Sequence, residues 1–539
     1  MSLEMHKLYG GDPELLSPLA VKLLERGLLR WFITITASLG AILEVIDTSI
    51  TNVALPDIQG NLGASLAEAG WIITAYACAN IIIIPLSAWL GDRFGKKNYF
   101  LFSLIGFTLS SVLCGLAPNL GMLILARIAQ GLTGGGLLAK AQSIVFEAFP
   151  PAERGAAQAI FGLGVIVGPA LGPVLGGYLT DSLGWRWIFF INVPFGILAS
   201  MACLSFLPRD VKSTRKSSKV DWAGIFLLTV GLATLQTMLE EGQQDDWFSS
   251  RFITSMAVTS AVTLTLFVWR EMTTDYPAVD LRVLRHPSMI AGSMYSAILG
   301  MGIYGIMFAV PIFVQNFLHF TATQSGELMI PGALASAFTM ALMGRISGKF
   351  DARLLIGIGA LITAATGFLL MGLNPDTSSG TLFLPLLLRS IGSVCMFIPL
   401  SLATIGPLPK NEIAAGSGLF SLTRTLGSSV GIALITVMLT RREATHRAVL
   451  VENVTAYRQP AVDRLHEMAH GMGGVDPVLG MQRALSAVDH LISGQAALLA
   501  YADIFSYVAG AFIISLPLLF FLGNGRVSKA AKAAAAEAH

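Results

Sequence analysis

Apolar runs long enough to cross a bilayer recur along the chain, and short polar breaks separate them. A spanning helix needs about 20 predominantly apolar residues. Such runs lie at roughly 31–56, 71–90, 99–117, 121–146, 155–179 and 187–207, then at 222–239 and 252–269. A last set lies at 289–317, 325–346, 354–373, 381–407, 413–439 and 497–522. The pattern predicts an all-α integral membrane protein with about 14 transmembrane helices.

Composition agrees. Of the 539 residues, 54% are hydrophobic and only 13% are charged, against about 25% charged in soluble domains. Mean hydropathy is +0.68. Net charge is +2. A soluble globular protein, a disordered chain and a nucleic-acid binder working by bulk positive charge are all excluded. The 55 glycines suit close helix packing in a membrane. Cys78, Cys114, Cys203 and Cys395 each stand alone in an apolar run, which reads as buried thiols rather than a disulfide or metal site. The first stretch carries charges of both signs and no small-residue cleavage site, so the first apolar run is expected to be retained.

Charge placement predicts orientation. Arg209, Lys212, Arg215, Lys216 and Lys219 crowd one loop, and Arg93, Lys96 and Lys97 another. Glu240, Glu241, Asp245 and Asp246 crowd a third, which has no base. Basic loops stay in the cytoplasm, so an even number of spans puts both termini there. The expected division is a cytoplasmic segment 1–29, a six-helix bundle 30–207, a basic cytoplasmic loop 208–220 and two extra transmembrane helices in 221–270. A cytoplasmic linker 271–288, a second six-helix bundle 289–523 with a periplasmic loop 441–496, and a cytoplasmic tail 524–539 complete it.

The chain partly repeats itself at an offset of about 260 residues. Residues 150–157 resemble 409–416, Leu125-Ala126-Arg127 resembles Leu387-Leu388-Arg389, and 88–97 loosely matches 344–353. Two parallel six-helix halves with a site between them near the midplane is a rocker architecture of transporters.

Several motifs stand out. They are Asp47-Thr48-Ser49-Ile50-Thr51-Asn52-Val53-Ala54-Leu55-Pro56; the loop Gly91-Asp92-Arg93-Phe94-Gly95-Lys96, preceded by Ala88; Arg127-Ile128-Ala129-Gln130-Gly131; the series Gly164, Gly168, Pro169, Gly172, Pro173, Gly176, Gly177; and residues 185–194, Trp-Arg-Trp-Ile-Phe-Phe-Ile-Asn-Val-Pro. Together they resemble the major facilitator superfamily, and within it the fourteen-span drug:proton antiporters of the EmrB/QacA type. The resemblance implies two six-helix major-facilitator bundles plus two linking helices, a cytoplasmic gate at 91–96 and an antiporter motif on helix five. Ala88 departs from the gate pattern, where glycine is usual.

The residues carry their own physics. Glu44 and Asp47 are three apart and share a helix face inside the first apolar run. An ionised carboxylate at mid-membrane costs about 2.5–3.5 kcal/mol on insertion scales. Two close carboxylates suit a proton carrier; a buried ion pair or a solvated helix end is the structural alternative. Arg127, with Gln130 on its face, needs a partner or a wet cavity, and facing Asp47 it would couple protonation to conformation. Asp92 is expected to bind a helix N-terminus or a base of the other half; the loop also serves as an orientation signal. The glycines every four residues make a small-residue stripe for close helix approach, with Pro169 and Pro173 as bends. Lys140, Tyr304, Phe308, Arg389, Arg424 and Asp503 are weaker candidates for a substrate cavity; for Lys140 snorkelling is the alternative. His466 and His470 have metal-pair spacing, but no third ligand lies nearby.

The expected function is therefore a secondary transporter, not an enzyme. It exports hydrophobic or amphipathic drugs in exchange for protons, with protons as the coupling ion and no cofactor or metal. No nucleotide-binding loop of the Gly-x-x-x-x-Gly-Lys type is present in the sequence. The resemblance implies the inner membrane, lipid contact, and either a periplasmic adaptor with an outer-membrane channel or solitary action. The alternative reading is an importer or uniporter of a small metabolite.

Overall fold

The computed structural model describes residues 15–210, 220–318, 320–374, 377–455, 457–473 and 477–523. Residues 1–14 of the first segment, 211–219 of the basic loop and the whole tail 524–539 lie outside them. Among the described residues every regular element is helical. The first half comprises α1 (Pro18–Glu25), α2 (Leu29–Leu62), α3 (Leu66–Phe94), α4 (Lys96–Leu116), α5 (Leu120–Gly134), α6 (Leu137–Ala148), α7 (Arg154–Leu183), α8 (Trp187–Phe190) and α9 (Asn192–Phe206). Two linking helices follow, α10 (Trp222–Glu241) and α11 (Arg251–Thr273). The second half comprises α12 (Pro287–Phe317), α13 (Ala322–Glu327), α14 (Ile330–Ile346), α15 (Ala352–Leu370), α16 (Ser379–Ile405), α17 (Ile413–Val451), α18 (Gln459–Gly473) and α19 (Pro477–Ser515). Fourteen stretches among the described residues are long and apolar enough to span, with α5–α6, α8–α9 and α13–α14 each forming one.

Local chemistry sets the ends. Ser65 and Glu68 make a capping box that opens α3, and Asn119 and Ser378 cap α5 and α16. Gly63, at φ 62°, closes α2 in the left-handed region. Pro56 does not stop α2 as the sequence suggested; the helix runs on to Leu62, since a proline forfeits the bond to one earlier carbonyl.

The repeat is visible as a matched pair of ion pairs. Glu153 precedes α7 and Glu412 precedes α17, with φ/ψ of −105°/−6° and −106°/−9°. Glu153 meets Arg30 of α2 at 3.2 Å, and Glu412 meets Arg285 and His286, which precede α12, at 2.5 and 2.9 Å.

One end of the bundle carries Arg93, Lys96 and Lys97, and is here termed the basic face. The opposite end, where α10 closes on Glu240 and Glu241, is the acidic face. Two seams join the halves. Along the first, α7 runs antiparallel to α14: Gly155 abuts Gly344, Gly162 abuts Met340, and Val174 abuts Gly326 just before α14. Along the second, Gly418 of α17 lies against Ile84 and Pro85 of α3, and Ser421 reaches Gln142 of α6 at 3.4 Å. On the basic face Arg154 donates to the Gly406 carbonyl at 3.1 Å. The first seam is thus zipped from face to face.

Helix α10 straddles the second seam. Glu241 accepts from Thr74 of α3 at 2.7 Å, while Gln236 donates to Ser429 of α17 at 2.9 Å.

The segment 441–496, expected as a polar loop, is folded. α17 continues to Val451, α18 follows, and α19 begins at Pro477. Polar composition misled here because polar helices pair with each other: Arg447 meets Asp489 at 2.5 Å, and Asp503 meets Arg442 and His446 at 2.8 Å each.

Candidate functional site

Asp47 is the hub of the first half. It is fully buried on α2. Its Oδ2 accepts from Arg127 Nη1 of α5 at 2.5 Å, and its Oδ1 accepts from Gln130 Nε2 and Asn192 Nδ2 at 2.8 Å each. Three N–H donors converge on it, the donor set of an ionised carboxylate, which only accepts. Arg127 also donates to Gln130 Oε1 at 2.7 Å and to the Ile72 carbonyl at 3.2 Å, and its guanidinium lies 4.0 Å from the Tyr76 ring centroid. Ser111 of α4 takes bonds from Gln130 at 2.7 Å and Asn192 at 3.2 Å. Five spans therefore meet at one charge pair. Gly131 makes this possible, because a Cβ there would strike the α3 backbone at Tyr76. The site is interior to the first half; Asp47 does not border the space between the halves.

Glu44 takes the other direction. Its oxygens accept from Asn80 Nδ2 at 2.9 Å and from the Leu138 amide at 2.8 Å. The Asn80 amide also reaches the Tyr76 hydroxyl at 3.4 Å. A continuous path runs from Asp47 through Arg127, the Tyr76 ring and Asn80 to Glu44, which also meets α6, the helix facing α17 of the second half. Asn80, Tyr76, Ser111 and Asn192 were not singled out from the sequence. Tyr76 and Asn80 were detectable as polar residues four apart in an apolar run, and Asn192 lay within the 185–194 motif.

Between the halves lies a cavity of about 40 Å³ bordered by Pro169 of α7, Tyr304 of α12, Arg389 and Phe397 of α16 and Arg424 of α17. Arg424 stands 5.4 Å from the Phe397 ring centroid. The candidates Tyr304, Arg389 and Arg424 are thus brought together.

The family model described as the Major Facilitator Superfamily matches residues 37–432. The chain belongs to the major facilitator superfamily. The multidrug export protein EmrB of Escherichia coli strain K12 is 34% identical over 490 residues, covering 90% of this chain and 94% of that protein. The fatty acid resistance protein FarB of Neisseria gonorrhoeae is 32% identical over 497 residues, covering 92% and 96%. Among solved structures, the human organic anion transporter MFSD10 superimposes with a TM-score of 0.57 at 14% identity, covering 91% of this chain and 99% of that one.

Other motif residues of this major-facilitator chain fall into place differently. Gly164, Gly168, Gly172 and Gly176 face Ile42, Val45, Ser49 and Ile50 of α2, so the stripe is the α2–α7 contact, while Gly177 faces open space. Ser49 fills a gap the stripe creates: its hydroxyl donates at 3.0 Å to the Pro169 carbonyl, whose helical donor Pro173 cannot supply. At the basic loop, Gly95 has φ 95°, and a Cβ there would strike Asp210. Asp210 accepts from the Lys97 and Asn98 amides at 3.0 Å each, capping α4. The carboxylate at this helix N-terminus is Asp210, while Asp92 is exposed. Lys96 pairs with Glu147 at 2.5 Å, and Arg93 lies over Trp89.

Two cavity candidates are placed elsewhere, and a third is not described. Lys140 is buried beneath Gly91, away from the central cavity, with an ammonium that has no hydrogen-bond partner. The glycines 134–136 break this span into α5 and α6, so Lys140 is not in continuous helical phase with Arg127. Asp503 is held by Arg442 and His446 toward the acidic face. The Phe308 side chain lies outside the described residues.

Proposed function

We propose that this protein exports hydrophobic or amphipathic compounds in exchange for protons, by alternating access of its two bundles. The observation that carries the reading is the buried Asp47–Arg127 pair and its path through Tyr76 and Asn80 to Glu44 beside the second half. The names of the relatives, multidrug export and fatty acid resistance, support export of amphipathic cargo.

We read the arrangement described, with Asp47 accepting three N–H bonds and both seams in contact, as the state before a proton is taken up. A proton reaching Asp47 cancels its charge, and Arg127 must turn to Gln130, the Ile72 carbonyl and the Tyr76 face. That moves Tyr76 and Asn80, and with them Glu44 at the seam. Closed seams and open seams then differ in proton affinity, which is the linkage an exchanger needs. Each charge crossing 100 mV supplies about 2.3 kcal/mol, enough for roughly a fifty-fold gradient. The cycle makes and breaks no covalent bond in the cargo and uses protons alone as coupling ion.

The basic face is read as cytoplasmic, with both termini on that side of the inner membrane. The paired polar helices beyond the acidic face, from α17 to α19, would then meet a periplasmic adaptor leading to an outer-membrane channel.

Drug-evoked proton flux in proteoliposomes tests the reading. The wild type is expected to move protons inward as cargo leaves, and Asp47→Asn to do neither while staying helical. Normal export by Asp47→Asn would overturn it.

A further inference from the structure

A buried charge without a partner is costly, because the desolvation it suffers is not returned by any attraction. Arg389 and Arg424 are 7% and 3% exposed, and both border the central cavity. Among the described residues, Nη1 of Arg389 and both terminal nitrogens of Arg424 have no hydrogen-bond partner. Nη2 of Arg389 meets only the soft sulfur of Met329 at 3.9 Å. The Glu44 oxygens are taken by Asn80 and the Leu138 amide. Among the described residues no ion pair holds either Arg389 or Arg424. The cavity is therefore bordered by two guanidinium groups with unpartnered N–H donors. Ser390, Ser393 and Tyr304 also line it, and Ile166, Met307 and Phe397 supply the apolar wall.

We propose that Arg389 and Arg424 seat the negatively charged head of an amphipathic organic anion, so that the exporter prefers acids to esters or amines of the same apolar body. The inference rests on the export reading and names its cargo class. Guanidinium forks match a carboxylate in geometry and charge, and each idle N–H gains an acceptor. A space of about 40 Å³ accepts a headgroup in place of a few water molecules; the apolar body enters when the seams part. Outward movement of an anion against inward movement of a proton transfers two charges per cycle, so transport is electrogenic.

The test uses the full chain in nanodiscs with three fluorescent probes: a dansyl-labelled undecanoic acid, its methyl ester, and the amine of equal length. The acid is expected to bind at least about tenfold more tightly than the other two. Arg389→Gln and Arg424→Gln should each bring the acid down to the level of the ester, and the Lys variants should keep part of the preference. Equal or tighter wild-type binding of ester or amine overturns the proposal, and that comparison decides even where a Gln variant does not fold. The same probes separate the two readings in proteoliposomes. Proton flux evoked equally by all three overturns the anion seat and leaves antiport standing. Acid preference without proton flux does the reverse.

Discussion

Arg127 and Arg389 hold matching places in the two halves, about 260 residues apart, yet their surroundings are opposite. Arg127 is tied to Asp47, Gln130 and a backbone carbonyl inside the first half. Arg389 looks into the space between the halves with an unpartnered nitrogen. The difference lies on the first helix of each half. Asp47 has no acidic counterpart near the equivalent positions 303–309, which read Ile-Tyr-Gly-Ile-Met-Phe-Ala. On the reading proposed above, one embedded base completes a proton site and the other is left for cargo, so the duplicated helices would divide the labour of exchange by a single carboxylate.

Breaking the first half should have the largest effect. Asp47→Asn strands Arg127 and is expected to cost about 3–5 kcal/mol of stability as well as transport. Adding Arg127→Gln should restore most of the melting temperature in detergent but none of the proton flux; recovery of flux would mean the pair is only structural. Next, Ile303→Glu supplies the second half with its missing carboxylate. It should lower the preference for an acidic probe by about tenfold, read from the same fluorescence titration.

A smaller effect is expected from Glu44→Gln, which keeps both halves but weakens the path between them. Exchange should slow by about 2- to 30-fold, the range of 0.5–2 kcal/mol of coupling, with the Asp47 site unchanged in stability. Smallest is Ser49→Ala. It orphans the Pro169 carbonyl and should cost about 1 kcal/mol, measured by thermal unfolding, without altering proton coupling.

Much of this was legible in the sequence. The spans follow from hydrophobic runs because bilayer thickness fixes helix length. Asp47 and Arg127 stand out because a charge in an apolar run is expensive. What was not legible is direction. Glu44 and Asp47 are three residues apart, which turns them about 60° from each other on the helix, enough to send one into the bundle and the other to the seam. Asn192 and Asn80 carry little energetic signature, since a neutral amide in an apolar run is cheap compared with a charge. The helices beyond residue 441 were missed because their stability comes from charge pairs between segments distant in sequence, such as Arg447 with Asp489. The role of α10 was invisible for the same reason: Gln236 and Glu241 read as a helix end, and only packing reveals that they touch both halves.

The central claim is that Asp47 holds the proton that cargo displaces. It is tested most directly by counting protons released when cargo is added to the purified protein in weakly buffered dye solution, below and above the pH at which export begins. The account predicts release from the wild type and from Glu44→Gln, and none from Asp47→Asn. Release of the same number of protons by Asp47→Asn would contradict it.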